Sequence, residues 1–386
     1  MVATSGREPA VADGKGARPG WEDFVHTGPG TLAGRYLRRF WHPVCRSEDL
    51  QAGWTRPVRI LSEDFTLYRG EGGRPHLTAF RCAHRGAQLT AGWVEGEDLR
   101  CFYHGWKYDS SGQCIEQPGE AEPFCERIKI ASRPTEDYVG LVFVYLGEGE
   151  PPPLPRYPEI ENAGGLLENW REEWPCNYFN RLENAGDHVH VAFVHKHLGS
   201  KIQKHLDVVE TEYGYENEDA EEPSAGRRPG HGFHMPNMNY FHSPAKERSL
   251  ETGARPAFMW RVPVDDENHL GFGAQRVQVF GENIDAYLER RREVEREQER
   301  VPMVEVARAV LAGKMKTDEI ARTRWWDVNS VQDMVTLIGQ GVVADREHEH
   351  LGRSDVSVTM LRSLYMREMR ALAEGRALKQ WTHPQK

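Results

Sequence analysis

Cys82-Ala-His84 and Cys101-Phe-Tyr-His104, with residues 85–100 between them, form the stretch on which the reading of this chain turns. Two thiols and two imidazoles at this spacing can make a four-ligand metal site. Mixed sulfur and nitrogen ligation suits a structural zinc, or a [2Fe-2S] cluster with both histidines on one iron. The two options imply different proteins, a stapled binding module or a carrier of single electrons. Runs such as Val58-Arg-Ile-Leu-Ser, Phe65-Thr-Leu-Tyr and Gly140-Leu-Val-Phe-Val-Tyr-Leu surround the pairs, bounded by Gly, Asp and Pro. Their β-branched and aromatic content predicts an all-β unit from about Trp41 to Leu146, with each Cys-His pair at the tip of a hairpin loop.

Composition narrows the function classes. A chain of 386 residues with 39% hydrophobic content supports two domains with their own cores. A net charge of −10 without a basic block argues against a nucleic-acid partner. The absence of a run of about 18 apolar residues argues against a membrane span. Met1 to Gly20 is rich in Gly, Ala and charge, lacks the apolar core of a signal peptide, and reads as a disordered lead-in to a cytoplasmic protein. In a reducing compartment a disulfide framework is not expected, so Cys45, Cys114, Cys125 and Cys176 read as small buried hydrophobes.

Gly147-Glu-Gly-Glu-Pro-Pro-Pro-Leu-Pro-Arg-Tyr-Pro is a stiff, extended connector and marks a domain boundary. The expected division is 1–35 for the lead-in and a first helix, 36–150 for the β unit, and 151–386 for a second domain. That second domain mixes element types, with strands over Phe258–Val264 and Val277–Phe280 and helices over Ile284–Val301 and Ser354–Glu374. Gly214 to Gly230, acidic and then rich in Gly, Arg and Pro, reads as a mobile loop.

The residues flanking the Cys-His pairs separate the two metals. Cys82-Ala-His84-Arg85-Gly86-Ala-Gln-Leu and Cys101-Phe-Tyr-His104-Gly105-Trp106-Lys-Tyr-Asp-Ser-Ser-Gly112, with Phe40-Trp-His-Pro43 upstream, resemble the cluster loops of Rieske proteins, specifically of Rieske non-haem iron oxygenases. The resemblance implies that Cys82 and Cys101 hold one iron and His84 and His104 the other. It also implies an α+β chain, an N-terminal all-β Rieske domain followed by a catalytic domain of helix-grip type with an antiparallel sheet. Neutral imidazoles in place of two thiolates raise the cluster potential. Gly86 and Gly105 allow tight loops, and Trp106 shields one side of the cluster from water.

Asn180-Arg-Leu-Glu183-Asn184-Ala-Gly-Asp187-His188-Val-His190-Val-Ala-Phe-Val-His195-Lys-His197 is similar to the mononuclear iron motif of the same family. That similarity implies His190 and His195 as ligands of a mononuclear Fe(II), with Asp187 as the catalytic carboxylate beside them. Ser330-Val-Gln-Asp333-Met-Val-Thr-Leu-Ile-Gly resembles the family's ligand helix and implies Asp333 as the third ligand, with Asp327 and Asp345 as rivals. Two histidines and a carboxylate on one face leave positions open for O2 and substrate. Helix geometry constrains this set. Asp187 and His190 share a face, but His190 and His195, five apart, point about 140° apart on a regular helix. An irregularity at Val191–Val194, a π-bulge or unwound turn, is therefore expected. Val331, Met334, Val335 and Ile338 make an apolar stripe that Asp333 lies off, although Leu337 shares its side. His188 and His197 read as surface or outer groups. Glu183 and Asn184 read either as supports for the ligands or as capping and surface residues.

Asp345-Arg346 through Asp355 resembles the phthalate dioxygenase-like branch, whose members include ring dihydroxylases, ring monooxygenases and aryl-ether O-demethylases. The implied partners are O2, an aromatic substrate and an NAD(P)H-dependent reductase, with or without a ferredoxin. No dinucleotide-binding fingerprint is present in this chain. The family also implies a homotrimer in which Asp187 links His190 of one subunit to His104 of the next. Gly230 to His242 mixes aromatic, thioether and polar groups suited to a flat ring. A carboxylated substrate would require a cation, for which Lys201, Lys204 and Arg261 are candidates.

Overall fold

Residues 41–145 form eleven short strands in three antiparallel sheets. The computed structural model describes residues 20–202, 206–219, 232–243, 245–298, 301–320 and 328–382. One sheet joins Trp41–Arg46, Leu141–Tyr145 and Thr135–Tyr138, and a second joins Thr55–Ile60, Glu63–Arg69, Pro75–Ala79 and Ser132–Arg133. The third, Trp93–Glu95, Asp98–Arg100, Lys107–Tyr108 and Cys114–Glu116, carries the second Cys-His pair between its middle strands. Leu61 and Ser62, expected to extend a strand, instead make its turn with positive φ. Their amides donate to the carbonyls of Pro263 and Val264, so this turn is pinned to the second half of the chain.

The connector is also pinned. Trp41 Nε1 donates to the Pro152 carbonyl, and the Tyr157 amide donates to the Tyr138 hydroxyl. Beyond it lies a seven-stranded antiparallel sheet. Its strands run in the spatial order Leu166–Trp174, His269–Val277, Arg255–Pro263, Met238–Ser243, Gly232–His234, Gly214–Asp219 and Leu206–Glu210. Alternation along a strand sends successive side chains to opposite faces. Phe258 and Trp260 therefore meet Tyr157, and Trp260 meets Phe143 of the first half, at ring separations of 4.5–6.1 Å. The core is thus continuous between the two halves.

Helix Val356–Ala373 packs over the strands beginning at Leu206 and Gly214, and against helices Leu32–Leu37 and Tyr178–Gly186. The last expected helix is therefore present, preceded by a single 3-10 turn, and the other expected helix spans Asn283–Gln298. The strand expected over Val277–Phe280 ends at Val277. The mobile loop expected over Gly214–Gly230 begins as a strand through Asp219, and residues 220–230 lie outside the described residues, as do residues 1–19 of the lead-in. No helix among the described residues is long and apolar enough to cross a membrane.

Candidate metal centres

The two Cys-His loops close with the same pair of hydrogen bonds. The Cys82 amide donates to the Ala87 carbonyl and Gly86 donates back to Cys82; Cys101 donates to Trp106 and Gly105 back to Cys101. Each loop needs a residue of positive φ at its fifth position, and Gly86 (+72°) and Gly105 (+71°) supply it without a Cβ penalty. This shared geometry brings the His84 and His104 rings to 4.5 Å while the thiols of Cys82 and Cys101 are buried beneath them. Burial raises the Cys101 thiol pKa, as does the neighbouring Cys82, while the amides of Tyr103 and His104 point at the sulfur and favour a thiolate.

His84 Nδ1 is buried without a protein partner, as a metal-ligating nitrogen would be before its ion is counted. Trp106, 4% exposed, lies flat on His84 at 4.5 Å and 6° and closes that side of the loops. The donor set and its orphan nitrogen fit a Rieske cluster. Tyr108 was not singled out from sequence. Its hydroxyl accepts from the Ala83 amide and lies 3.1 Å from Cys82 Sγ, to which it would donate once that sulfur is a thiolate. Cys45, Cys114 and Cys176 are buried as expected, whereas Cys125 is half-buried.

The second centre lies where helix Tyr178–Gly186 gives way to helix Val189–Val194. The chain breaks at Asp187, which is extended (φ −80°, ψ 117°). Asp187 Oδ1 then accepts the amides of Val189 and His190 and so starts the next helix, while Oδ2 faces His190 Nδ1 at 3.6 Å. The bulge expected at Val191–Val194 is absent. The short helix is regular, the His195 amide donates to the Val191 carbonyl, and the helix ends on His195 itself (φ −104°, ψ 38°). That end turns His195 back toward His190, with ring centroids 5.3 Å apart.

Helix Val328–Gly339 brings Asp333 against both rings. Its Oδ1 is 3.0 Å from His195 Nε2 and 3.6 Å from His190 Nε2, and His190, His195 and Asp333 form a potential metal-ligand group. Ligand atoms each about 2.1 Å from one ion sit about 3 Å apart, so the spacing suits a single metal. His195 Nδ1 donates to Gln332 Oε1 at 2.9 Å, so in the neutral ring Nε2 is the lone-pair nitrogen and it faces a carboxylate oxygen. Two acceptors at 3.0 Å require a cation or a proton between them. Burial would raise the Asp333 carboxyl pKa, but Arg181, with His195 after it, holds it well below the usual range. Burial would lower that of His195, and the Asp333 carboxylate outweighs it and raises it.

Other expectations divide. Asn184 belongs to the centre, with Nδ2 3.4 Å from Asp333 Oδ1 and 3.5 Å from His190 Nε2. Glu183 does not, since both its oxygens bind Arg346 and Oε1 also accepts from Arg362, tying residues 346–362 to the helix. His188 is exposed beside Asn217, and His197 stands 6.3 Å from His195. Asp345 is exposed and bonded to His348, while Asp327 lies outside the described residues. Phe233, Met238 and Tyr240 of the presumed ring-binding segment are core residues, Tyr240 stacking on Phe258. Lys201 is exposed and Lys204 lies outside the described residues. Arg261 is buried, bonded to Asn239 and the Met259 carbonyl, with Nε unpartnered. Arg181 and Gln332 were missed. The local signal was an arginine three residues before Asn184 and a glutamine adjoining Asp333.

The Rieske [2Fe-2S] domain family matches residues 40–136. The chain is 31% identical over 374 residues to the 5,5'-dehydrodivanillate O-demethylase oxygenase subunit of Sphingobium sp., covering 92% of this chain and 80% of that one. It is 29% identical to the tert-butanol monooxygenase / tert-amyl alcohol desaturase oxygenase subunit of Aquincola tertiaricarbonis, covering 93% and 81%. Its fold matches the terminal oxygenase of carbazole 1,9a-dioxygenase from Nocardioides aromaticivorans with a TM-score of 0.59 at 18% identity, covering 91% of this chain and 98% of that one.

Proposed function

The chain belongs to the Rieske non-haem iron oxygenases as an oxygenase subunit, and we propose that it spends O2 and two reductase-supplied electrons on an aromatic substrate, with aryl-ether O-demethylation as the favoured outcome. The relative named as a dehydrodivanillate O-demethylase supports that outcome over ring hydroxylation or dihydroxylation. The observation that carries the reading is the meeting of His190 Nε2, His195 Nε2 and Asp333 Oδ1, a second metal-ligand set that an electron carrier does not need.

In this reading Cys82, Cys101, His84 and His104 hold the [2Fe-2S] cluster within a domain of residues 36–150. His190, His195 and Asp333 hold the mononuclear iron within residues 151–386. When bound, the cluster supplies single electrons and the iron the binding and activation of O2. Gln332 fixes the tautomer and orientation of His195. Asp187 faces His190 Nδ1 within the chain and reaches His104 of the partner subunit in a head-to-tail homotrimer, so that a proton can move as the cluster changes charge. The exposed rim of Phe102 (70%), Tyr103 (55%) and Trp93 (44%) around the cluster loops supports such docking. NAD(P)H acts through a separate reductase.

The test is an oxygen-uptake screen with a surrogate reductase against methoxybenzoates and other aromatic acids. Formaldehyde release is expected, whereas a cis-diol or phenol would replace O-demethylation with ring oxidation. Metal analysis finding cluster iron only, with no mononuclear iron, would leave the chain an electron carrier.

A further inference from the structure

The Asp333 carboxylate is divided between two environments. Oδ1 faces His195 and His190, whereas Oδ2 accepts from Arg181 Nη1 at 2.7 Å, with both side chains only 7% exposed. Arg181 cannot easily leave, because its guanidinium lies 4.5 Å over the Trp174 ring and Trp174 is itself buried. The same Nη1 also donates to Asn184 Oδ1. The Asn184 carbonyl oxygen is thereby turned toward the arginine, and its amide nitrogen, which has no lone pair to give a metal, faces Asp333 Oδ1 and His190.

An acid with two free oxygens beside a divalent cation is able to chelate it, and an Asn side chain within 3.5 Å of two ligand atoms could turn its oxygen in as a further ligand. Either would fill a position that O2 or substrate needs. We propose that Arg181 is a positioning residue that withholds Asp333 Oδ2 and Asn184 Oδ1 from the mononuclear iron and so keeps its protein ligation at three atoms. The proposal rests on His190, His195 and Asp333 being the iron ligands.

Nitric oxide, an O2 surrogate, reports on the open positions through the EPR signal of its ferrous adduct. Arg181→Met keeps the apolar length against Trp174 and removes every donor. In the full-length, cluster-loaded protein the variant is expected to retain mononuclear iron, bind nitric oxide about tenfold more weakly and show a changed adduct line shape. An unchanged titration and line shape would overturn the proposal. So would loss of the iron with the cluster signal intact, since freeing Oδ2 should not weaken the site unless Arg181 only props the carboxylate in place. Arg181→Leu, which also removes every donor, is expected to change the adduct in the same direction and carries the test if the methionine variant does not accumulate. Asp333→Ala and His195→Ala isolate the underlying assignment. Should both retain mononuclear iron, the ligand set is wrong whatever Arg181 does.

Discussion

Removing the Tyr108 hydroxyl should lower the potential of the cluster. Tyr108 is fully buried, its oxygen takes the Ala83 amide, and Cys82 Sγ is 3.1 Å away; a cluster-bound thiolate there has no hydrogen of its own and takes the one on the hydroxyl. Reduction places additional negative charge on the cluster sulfurs, so a donor at that sulfur stabilises the reduced form more than the oxidised one. A hydrogen bond to a charged group contributes about 1.5–3 kcal/mol in total. If roughly half of that is differential, about 1 kcal/mol separates the two oxidation states, which for a one-electron couple is about 40 mV. Tyr108→Phe keeps the ring and its packing and removes only the hydroxyl. The potential of the variant, followed by EPR or visible absorption in a poised titration, should fall by about 40 mV with cluster content unchanged. An unchanged or raised potential in a fully loaded variant would refute the reasoning, and would mean that the hydroxyl hydrogen points elsewhere.

Asp187→Asn should keep both metals and lose about a hundredfold or more in substrate oxidation; turnover at the parent rate with normal metal content would sink its role in coupling the centres. Arg346→Met leaves the buried Glu183 with Arg362 alone and should cost about 3 kcal/mol, read as a lower unfolding temperature with the cluster spectrum intact. Burial, followed by a smaller effect of Arg38, lowers the His42 pKa to about 4 despite its bond to the Leu37 carbonyl. The unfolded chain therefore binds a proton that the folded chain refuses between about pH 6.5 and 4. The contribution is fully present above that window and is lost as pH falls through it, by about 3 kcal/mol in all. Melting temperatures of the parent and His42→Gln from pH 4 to 8 should show a shallower acid slope in the variant, and equal slopes would count against it.

What the sequence made legible was local. The two Cys-His loops each lie within seven residues, and their glycines take the positive φ that the tight turns require while the His84 and His104 rings meet at 4.5 Å. The grouping of His190, His195 and Asp333 depends on contacts that spacing does not encode. Asp333 lies off the stripe of Val331, Met334, Val335 and Ile338, which by itself predicts a solvent-facing carboxylate. A stripe argument assumes one covered face. Helix Val328–Gly339 is instead covered from several sides, Met334 and Leu337 against Trp174 and Cys176, and Val331 against Val306 and Ile320. A carboxylate between those contacts is buried without being apolar, and Arg181 is the partner that makes its burial tolerable.

The expected bulge failed for an instructive reason. A five-residue separation demands a correction only if one helix runs through both histidines. The chain makes no long helix there. It breaks at Asp187, whose side chain caps the new helix, and it stops at His195 after little more than one and a half turns. A residue at the last position is free of helical φ and ψ, so His195 meets His190 without strain in the backbone between them. The same break aims Asp187 at His190 Nδ1 while its other oxygen is consumed by capping. Capping, the convergence of His195 on His190 and the placement of a carboxylate beside His190 Nδ1 therefore depend on one residue. It follows that Asp187→Asn, whose amide oxygen is still able to cap, is the substitution that separates the structural duty of this position from its chemical one, whereas Asp187→Ala removes both and tests neither.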